Sequence, residues 1–359
     1  MSPTSIIPNI NALTQTKLLP NVKKKWQQQL MFGLKAFALR PFQSTSGNAR
    51  QIISNPNTAS RKSERLLANN CLANQFGVLF DALCHIKPSH FINCDHSDLF
   101  GLTAFVGAVQ TTKGRAVPCL IETTYSDRLP SMPTAPKRRQ KLREARAKER
   151  AALSFTEHYI DALQGLAERL SFWPKLVFDR GFGNESLIVF LESSGATFYI
   201  RAKAGRIVQL DRQKITLGQI KKNDTIVELF GISFRVVRSD QHRRMDEPWY
   251  ILTNDHASSR TKIIRIYYHR FEIEEIFKDI KHLWELRRAR LNKPISLKVI
   301  LWLVSIGMAL LYVSAKTVLG ILTEKTKTHP KKRLSWIRRT YEQLQRDCLN
   351  YDSPLWRLM

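Results

Sequence analysis

The chain has 359 residues, 43% of them hydrophobic, which is enough for a large catalytic domain with a buried core and excludes a disordered polymer. Lys and Arg number 57 against 30 Asp and Glu, so the formal net charge is +27. A chain this basic repels itself unless an anion is near. Nucleic acid is the first candidate partner, because neutralising phosphates releases bound counterions, and an anionic membrane surface is the second.

The cysteine content argues against a secreted, disulfide-bonded protein. The cysteines are odd in number, widely scattered and without a paired metal-binding spacing: Cys71, Cys84, Cys94, Cys119 and Cys348. Such cysteines are typical of reduced cytosolic thiols. Residues 1–20 have no basic start and no continuous apolar run, so no secretory signal is predicted.

One apolar stretch, residues 299–315, has the composition of a membrane span. Its 17 residues fall just short of the roughly 20 that are needed to cross a bilayer. We therefore predict a helix buried in the protein, packed against the helix that carries Glu274, and no membrane partner.

The N-terminal part is predicted to be mainly helical. Residues 1–20 form a tail, and residues 21–88 carry apolar residues at helical spacing, with Thr58 or Ser60 as one N-cap. The helix that begins at this cap has a basic face. That face is compatible with exposure to solvent or with binding to DNA, and from this segment alone exposure to solvent is the better interpretation.

Residues 89–325 are predicted to form a catalytic domain of the α/β class. Two short apolar strands each lead to an aspartate: "HFINCD" ends at Asp95, and "KLVFDRGF" places Asp179 after its strand. Between them lie a hairpin around the turn "TKGR", a basic run at 137–150 and a helix. Sites on α/β sheets are built at the carboxyl ends of strands, so both aspartates are candidate site residues.

The second half of this domain combines a β-rich insertion with a strong helix. Short β-like runs separated by polar turns predict the insertion at residues 203–260. The helix is predicted from the segment "IYYHRFEIEEIFKDIKHLWELR", at residues 266–287. A basic tail covers residues 326–359.

That helix carries an unusual polar stripe. At about 100° per residue, one arc of roughly 60° beside the apolar face holds Tyr267, Arg270, Glu274 and Lys281. Ordinary salt bridging, for instance of Glu274 with Lys278, is the simplest interpretation. One acid among three donors, together with two aspartates at strand ends, favours instead a site for hard cations and phosphate.

The spacing Tyr267-x2-Arg270-x3-Glu274-x6-Lys281 resembles the signature of bacterial insertion-sequence transposases of the DDE class, the insertion-sequence-four family. The segments "NCDHSD", "GRAVPC" and "LVFDRGF" are similar to that family's first-aspartate, hairpin and second-aspartate segments. Together the matches extend over more than half of the chain. Phe271 stands where the family often has Trp, and it preserves a side chain that can pack.

The resemblance implies a ribonuclease-H-like core, interrupted by the β-rich insertion, in which Asp95, Asp179 and Glu274 are catalytic and bind the metal ions. Mg²⁺ suits these oxygen ligands, with two ions expected and Mn²⁺ as a substitute.

Nearby carboxylates compete for two of these roles. Asp98 lies three residues from Asp95, which we prefer because it directly ends the apolar run. Glu272 and Glu275 compete with Glu274, but they fall off the polar stripe by about 80° or more.

By the same resemblance, Tyr267, Arg270 and Lys281 bind the phosphate of the DNA strand that is not transferred. Trp249 is implied to stack on a base flipped out of the hairpin end. For an average tryptophan a core position is the better interpretation, but the polar residues before Trp249 and the segment "PWYILT" favour base stacking.

The implied activity is cleavage and strand transfer of double-stranded DNA, at element ends and target, through a hairpin intermediate. The implied assembly is a homodimer on DNA, in the bacterial cytoplasm and associated with the nucleoid. Two other interpretations stay open. One is a non-catalytic or decayed DNA-binding transposase remnant, and the other is a ribonuclease-H-like nuclease or resolvase that cuts without joining.

Overall fold

The computed structural model describes residues 24–38, 42–99, 101–111, 114–126, 140, 143–145, 147–148, 154–240, 247–289, 291–317 and 337. The predicted tail at 1–20 lies outside these residues, as do most of the basic run at 137–150 and all of the basic tail at 326–359 except Ile337.

One mixed sheet of ten strands runs through the described part of the protein. In chain order the strands are β1 (Phe91–Leu99), β2 (Leu102–Val109), β3 (Val117–Tyr125), β4 (Lys175–Phe178), β5 (Phe198–Ala202), β6 (Ile207–Leu210), β7 (Gln213–Thr216), β8 (Asp224–Leu229), β9 (Ile232–Ser239) and β10 (Trp249–Thr253). Their order across the sheet is β3-β2-β1-β4-β5-β10-β9-β8-β6-β7.

The described α-helices are α1 (Lys24–Gly33), α2 (Thr45–Arg50), α3 (Pro56–Leu67), α4 (Asn70–Cys84), α5 (Phe155–Leu170), α6 (Glu185–Ser193), α7 (Arg260–Tyr268), α8 (Phe271–His282) and α9 (Pro294–Thr317). Several begin at side-chain caps that the sequence supplies. Ser154 and Glu157 form a capping box on α5, and Ser259 caps α7.

The first five strands form a sheet of the expected class. β1, β2 and β3 pair antiparallel, whereas β1, β4 and β5 pair parallel. The α/β class is confirmed, and this order is consistent with the ribonuclease-H-like core that the resemblance implies. The strands of the predicted insertion extend the same sheet, because β10 pairs antiparallel with both β5 and β9.

The apolar stretch at 299–315 lies within α9, and its described side chains are buried except for Tyr312, which is half-buried. In the described part of the chain no helix is long and apolar enough to span a membrane. The predicted burial is confirmed, but the predicted partner is wrong. α9 packs mainly on β3, on α4 and on the π-helix Leu34–Ala38, because the N-terminal helices cover it, while α8 packs on β1.

Apolar side chains pack on both faces of β10, an interior strand. Trp249 and Ile251 belong to a small cluster with Ile263 and Tyr267 of α7. Tyr250 and the next alternate residue, Leu252, belong to the large core cluster. The two clusters follow from the pleat, since successive side chains of a strand point to opposite faces.

Candidate active site

The parallel pairing of β1 with β4 places Asp95 beside Asp179. Cys94 and Phe178 are the last register partners of this ladder. Asp95 and Asp179 are the next residues along the two strands, so both follow the last paired residues at the same edge of this ladder. The prediction that β1 ends at Asp95 is wrong, because β1 continues to Leu99 in its pairing with β2. It is the pairing with β4 that ends there.

The predicted single helix at 266–287 is broken into α7 and α8. At the break the Arg270 N–H donates to the carbonyl of Tyr267 at 3.0 Å, an i→i−3 bond in place of the α-helical i→i−4 bond. Two amide side chains from the sheet, those of Asn93 and Gln110, donate to backbone carbonyls at this break. The continuous-helix prediction fails because these tertiary partners satisfy carbonyls that a helix would otherwise use.

The Arg270 guanidinium lies between the carboxylates that the sequence singled out. Its Nη1 is 3.4 Å from Asp95 Oδ2, and its Nη2 is 2.5 Å from Glu274 Oε1. The Tyr267 hydroxyl lies 3.5 Å from Asp179 Oδ1. The fold therefore brings together five of the predicted site residues, which come from β1, from the end of β4 and from the α7–α8 break. We call these five residues the carboxylate cluster.

Burial governs the electrostatics of the carboxylate cluster. Tyr267 is 0% exposed and Arg270 is 3% exposed. Burial lowers the pKa of Arg270, but the Tyr267 hydroxyl and the three carboxylates outweigh this, so the net shift of its pKa is upward. Burial raises the pKa of Asp95, and Arg270 and the His96 N–H oppose that rise. Two of the three predicted phosphate-binding side chains, Tyr267 and Arg270, thus turn their polar ends to carboxylates instead of solvent.

The structure separates Asp95 from its competitor Asp98. Asp98 Oδ1 accepts hydrogen bonds from Thr103 Oγ1 at 2.6 Å and from Ser126 Oγ at 3.0 Å. These bonds tie β1 to β2 and to the end of β3. Asp98 therefore stabilises the pairing of β1 with its neighbouring strands, whereas Asp95 contacts Arg270.

The competitors of Glu274 are also engaged elsewhere. Glu272 is 4% exposed, and its Oε2 accepts a hydrogen bond from the Thr111 N–H at 3.0 Å. Glu275 pairs with Lys278, the lysine expected to pair with Glu274. Of the three glutamates, Glu274 is the one paired with the arginine of the carboxylate cluster.

Lys281 lies at the margin of the site, in the last turn of α8. Its side chain is half-buried. Burial lowers the pKa of Lys281, the charge of Arg287 lowers it further, and Asp98 opposes the shift. Lys281 lies about two helical turns beyond Glu274.

Trp249 is a core residue in this structure. It is 1% exposed, and its ring centroid lies 5.1 Å from Tyr267 in an edge-to-face arrangement and 5.7 Å from Phe271. No face of this ring is open to a DNA base, so the base-stacking prediction conflicts with the observed packing. The physical reason is the position of β10 between β5 and β9, which leaves Trp249 covered by α7.

The donor chemistry of the carboxylate cluster fits a hard divalent cation. Asp95, Asp179 and Glu274 supply carboxylate oxygens, the ligands that Mg²⁺ prefers. They already surround one cation, the guanidinium of Arg270, whose buried Nε has no hydrogen-bond partner. Within the described residues, no three His, Cys, Asp or Glu side chains lie close enough together to hold a metal ion. The cluster therefore has the composition of a metal site, but its three carboxylates are not gathered into a metal-binding arrangement.

Sequence reasoning missed two residues that contact the site region, Asn93 and Gln110. Asn93 is wholly buried in β1, two residues before Asp95, and Gln110 follows β2 directly. A polar amide inside the apolar run "FINCD" was the available signal, since buried polar groups are nearly always hydrogen-bonded.

One comparison with known proteins found a matching protein family. Residues 156–311, somewhat under half of the chain, match the family model of the transposase DDE domain. The matched segment includes Asp179, Arg270 and Glu274, while Asp95 precedes it. No curated protein matches the chain. The segment is thus similar to the catalytic domain of DDE transposases, and this similarity supports a transposase of the DDE class with a ribonuclease-H-like fold.

Proposed function

We propose that the protein is a transposase of the insertion-sequence-four family that cuts double-stranded DNA at element ends and joins the freed ends to a target. The observation that carries this proposal is the contact of Asp95 and Glu274 with Arg270, and of Asp179 with the neighbouring Tyr267. The net charge of +27 supports a polyanionic substrate.

Asp95, Asp179 and Glu274 would bind two Mg²⁺ ions, which when bound make water a better nucleophile and stabilise the leaving oxygen. In the DNA-free chain Arg270 keeps these like-charged carboxylates together by pairing with two of them. Tyr267 contributes a neutral donor to Asp179, because burial raises the pKa of its hydroxyl.

The chemistry is phosphoryl transfer in successive steps. In the first, a water oxygen bonds to the phosphorus at the element end, the bond to the 3′ oxygen breaks, and that oxygen leaves with a proton as a hydroxyl. In the second, the oxygen of this hydroxyl bonds to a phosphorus of the opposite strand and a hairpin forms; the bond from that phosphorus to the 3′ oxygen of the flanking DNA breaks, and this oxygen leaves with the proton. Each step replaces one P–O bond by another, so no external energy source is required.

Phosphate binding by Tyr267, Arg270 and Lys281 is part of the proposal. Lys281 is the least buried of the three and can meet a phosphate as a point charge. Arg270 and Tyr267 would contact a DNA phosphate only if that phosphate enters between the carboxylates. Because both element ends must be cut for transposition, we propose a homodimer on DNA, acting at the nucleoid.

The test is a cleavage assay on labelled duplexes that cover the DNA on both sides of the coding sequence, with Mg²⁺ or Mn²⁺ added. Denaturing gels separate nicked, hairpin and joined products. We expect Asp95→Asn, Asp179→Asn and Glu274→Gln each to abolish all three products and to retain DNA binding, since affinity comes mostly from basic contacts.

Two matched controls carry the same chemical change on neighbouring carboxylates, Asp98→Asn and Glu275→Gln. Both should keep cleavage. Nicking without hairpins or joining would favour a nuclease or resolvase. DNA binding without any cleavage by the unmodified chain would favour the non-catalytic remnant.

A further inference from the structure

The α7–α8 break is held by an amide pair, Asn93 and Gln110, which lie outside both the signature spacing from Tyr267 to Lys281 and the matched segment 156–311. Asn93 is 0% exposed, and its Nδ2 donates to the carbonyl of His269 at 2.9 Å. Its Oδ1 accepts from Gln110 Nε2 at 2.7 Å. The same Gln110 nitrogen also donates to the carbonyl of Ile266 at 3.1 Å. Two side chains from the sheet thus satisfy two carbonyls of the broken helix.

These contacts explain why the helix breaks at this point. In an uninterrupted helix the Ile266 carbonyl would accept from the Arg270 N–H, four residues on. Here Gln110 occupies that carbonyl, and the Arg270 N–H turns to Tyr267 instead. Since a buried carbonyl without a partner is costly, Gln110 compensates the change at Ile266. The His269 carbonyl accepts from the Glu272 N–H at 3.1 Å, and Asn93 is its second donor.

A second contact fixes the start of α8 on the same part of the sheet. The N–H of Thr111, the residue after Gln110, donates to Glu272 at 3.0 Å. Glu272 in turn lies 2.9 Å from the Nδ1 of His269. The break is therefore tied to the end of β2 through both the amide pair and a buried carboxylate.

From this geometry we propose that Asn93 and Gln110 are positioning residues for the transposase reaction, an inference that rests on the proposed function. They set the direction of α8 relative to α7, and with it the approach of Arg270 and Glu274 to Asp95. Neither amide touches the reacting phosphate in this scheme. They act through the backbone that carries the arginine and the glutamate.

The experiment compares Gln110→Met and Asn93→Leu with the matched control Asn48→Leu in the full chain. Asn48 is also 0% exposed, and its Nδ2 donates to a backbone carbonyl, that of Ala36, at 3.0 Å. It lies in the N-terminal helical region, far along the chain from the carboxylate cluster. Gln110 is only half-buried, so Gln110→Met tests the inference even if Asn93→Leu fails to fold.

Hydrogen exchange followed by mass spectrometry gives a readout that does not depend on activity. Loss of these bonds should speed amide exchange across residues 263–275 by about 5- to 10-fold. The Asn48→Leu control should speed exchange only in the N-terminal helices. Cleavage should slow by roughly 100-fold in Gln110→Met and Asn93→Leu, with DNA affinity unchanged, since small misplacements of catalytic groups are expensive.

Unchanged exchange across residues 263–275 in Gln110→Met would overturn the inference. Faster exchange with normal cleavage would also overturn it, because the break would then not position the reaction. Faster exchange together with slow cleavage supports it. If the unmodified chain cleaves no DNA, the proposed function fails, and with it the catalytic part of this inference. The exchange result then decides separately whether the amides hold the break.

Discussion

Two arginines of this protein that pair with carboxylates, Arg169 and Arg270, differ in burial and in charge balance: the Arg169 side chain is partly exposed, and the Arg270 side chain is 4% exposed. Arg169 of α5 is 16% exposed in its side chain, and its Nε lies 3.2 Å from Asp81 of α4. Its Nη2 donates to the carbonyl of Cys119 at 2.6 Å, and its guanidinium lies 5.8 Å from the ring centroid of Trp302. Arg169 of α5 thus contacts α4, β3 and α9, and one carboxylate, that of Asp81, is among these contacts.

The space for Arg169 is shaped by the neighbouring helix. A Cβ added at Gly77 of α4 would come within 1.8 Å of Arg169 Nη1, so only glycine allows this approach. By contrast, Arg270 has three carboxylates around it. A one-to-one buried pair is typical of a structural link, whereas three acids around one cation leave negative charge that a further cation can neutralise. The comparison separates the proposed site from a structural ion pair by its number of carboxylates as well as by its deeper burial.

The largest expected effect is on catalysis at Arg270. Arg270→Gln should reduce cleavage by about 10²–10³-fold, because the carboxylates lose the side chain that pairs with them and a phosphate loses a donor. Arg115→Gln is the matched control, since Arg115 pairs with Asp279 of the same helix at 2.6 Å. Equal losses of cleavage rate in Arg270→Gln and Arg115→Gln, measured at equal folded fraction, would contradict a specific role of Arg270 in catalysis.

Trp249→Ala should cost about 3–5 kcal/mol of the free energy of unfolding, because it leaves a cavity beside Tyr267. Trp249→Phe should cost less, since it retains most of the packing. Urea titration measures both values. A normal midpoint combined with a selective loss of hairpin product would instead restore the base-stacking role predicted from the sequence.

Arg169→Gln should destabilise the chain by roughly 3 kcal/mol, because it leaves the carboxylate of Asp81 buried without its counter-charge. The remaining folded protein should cleave DNA at a normal rate, unlike Arg270→Gln. Thermal or urea unfolding, followed by a cleavage assay under folding conditions, separates the two effects. A stable Arg169→Gln protein with impaired cleavage would contradict the structural role assigned to Arg169.

Asp81 should make stability depend on pH in a specific window. Burial raises the pKa of Asp81 from 3.8 to about 6, and Arg169 only partly opposes this. The folded chain therefore binds the proton more tightly than the unfolded chain, so this contribution is present below pH 4 and is lost as pH rises towards 6. Allowing for partial exposure, we expect a loss of roughly 2 kcal/mol. Asp81→Asn should remove this slope, and an unchanged slope in that variant would contradict the assignment.

Divalent ions should stabilise the carboxylate cluster and leave the Arg169 region unaffected. With Mn²⁺ at ten times its dissociation constant, the free energy of unfolding should rise by about 1.4 kcal/mol. The rise should disappear in Asp95→Asn and persist in Asp81→Asn. Thermal unfolding with and without Mn²⁺ gives the measurement, and a rise that persists in Asp95→Asn would place the ion elsewhere.

Much of the site region could be predicted from local patterns. The strand before Asp179, the hairpin after Asp95 and the apolar helix at 299–315 follow from periodicity and turn residues, and the structure confirms them. The choice of Asp95 over Asp98 rested on the end of an apolar run, yet β1 does not end there. What distinguishes the two aspartates is the end of pairing with β4 and the hydroxyl groups of Thr103 and Ser126 that bind Asp98.

The sequence by itself determined the order of the elements and which residues share one face of each, because side-chain spacing along a single helix or strand depends on local geometry. Only the tertiary structure decided which element covers each face. It buried Trp249 under α7, packed α9 on β3, and broke the helix before Glu274. The physical reason is competition: carbonyls and apolar faces take partners from residues distant in sequence, such as Asn93 and Gln110, and these contacts outweigh local helix propensity.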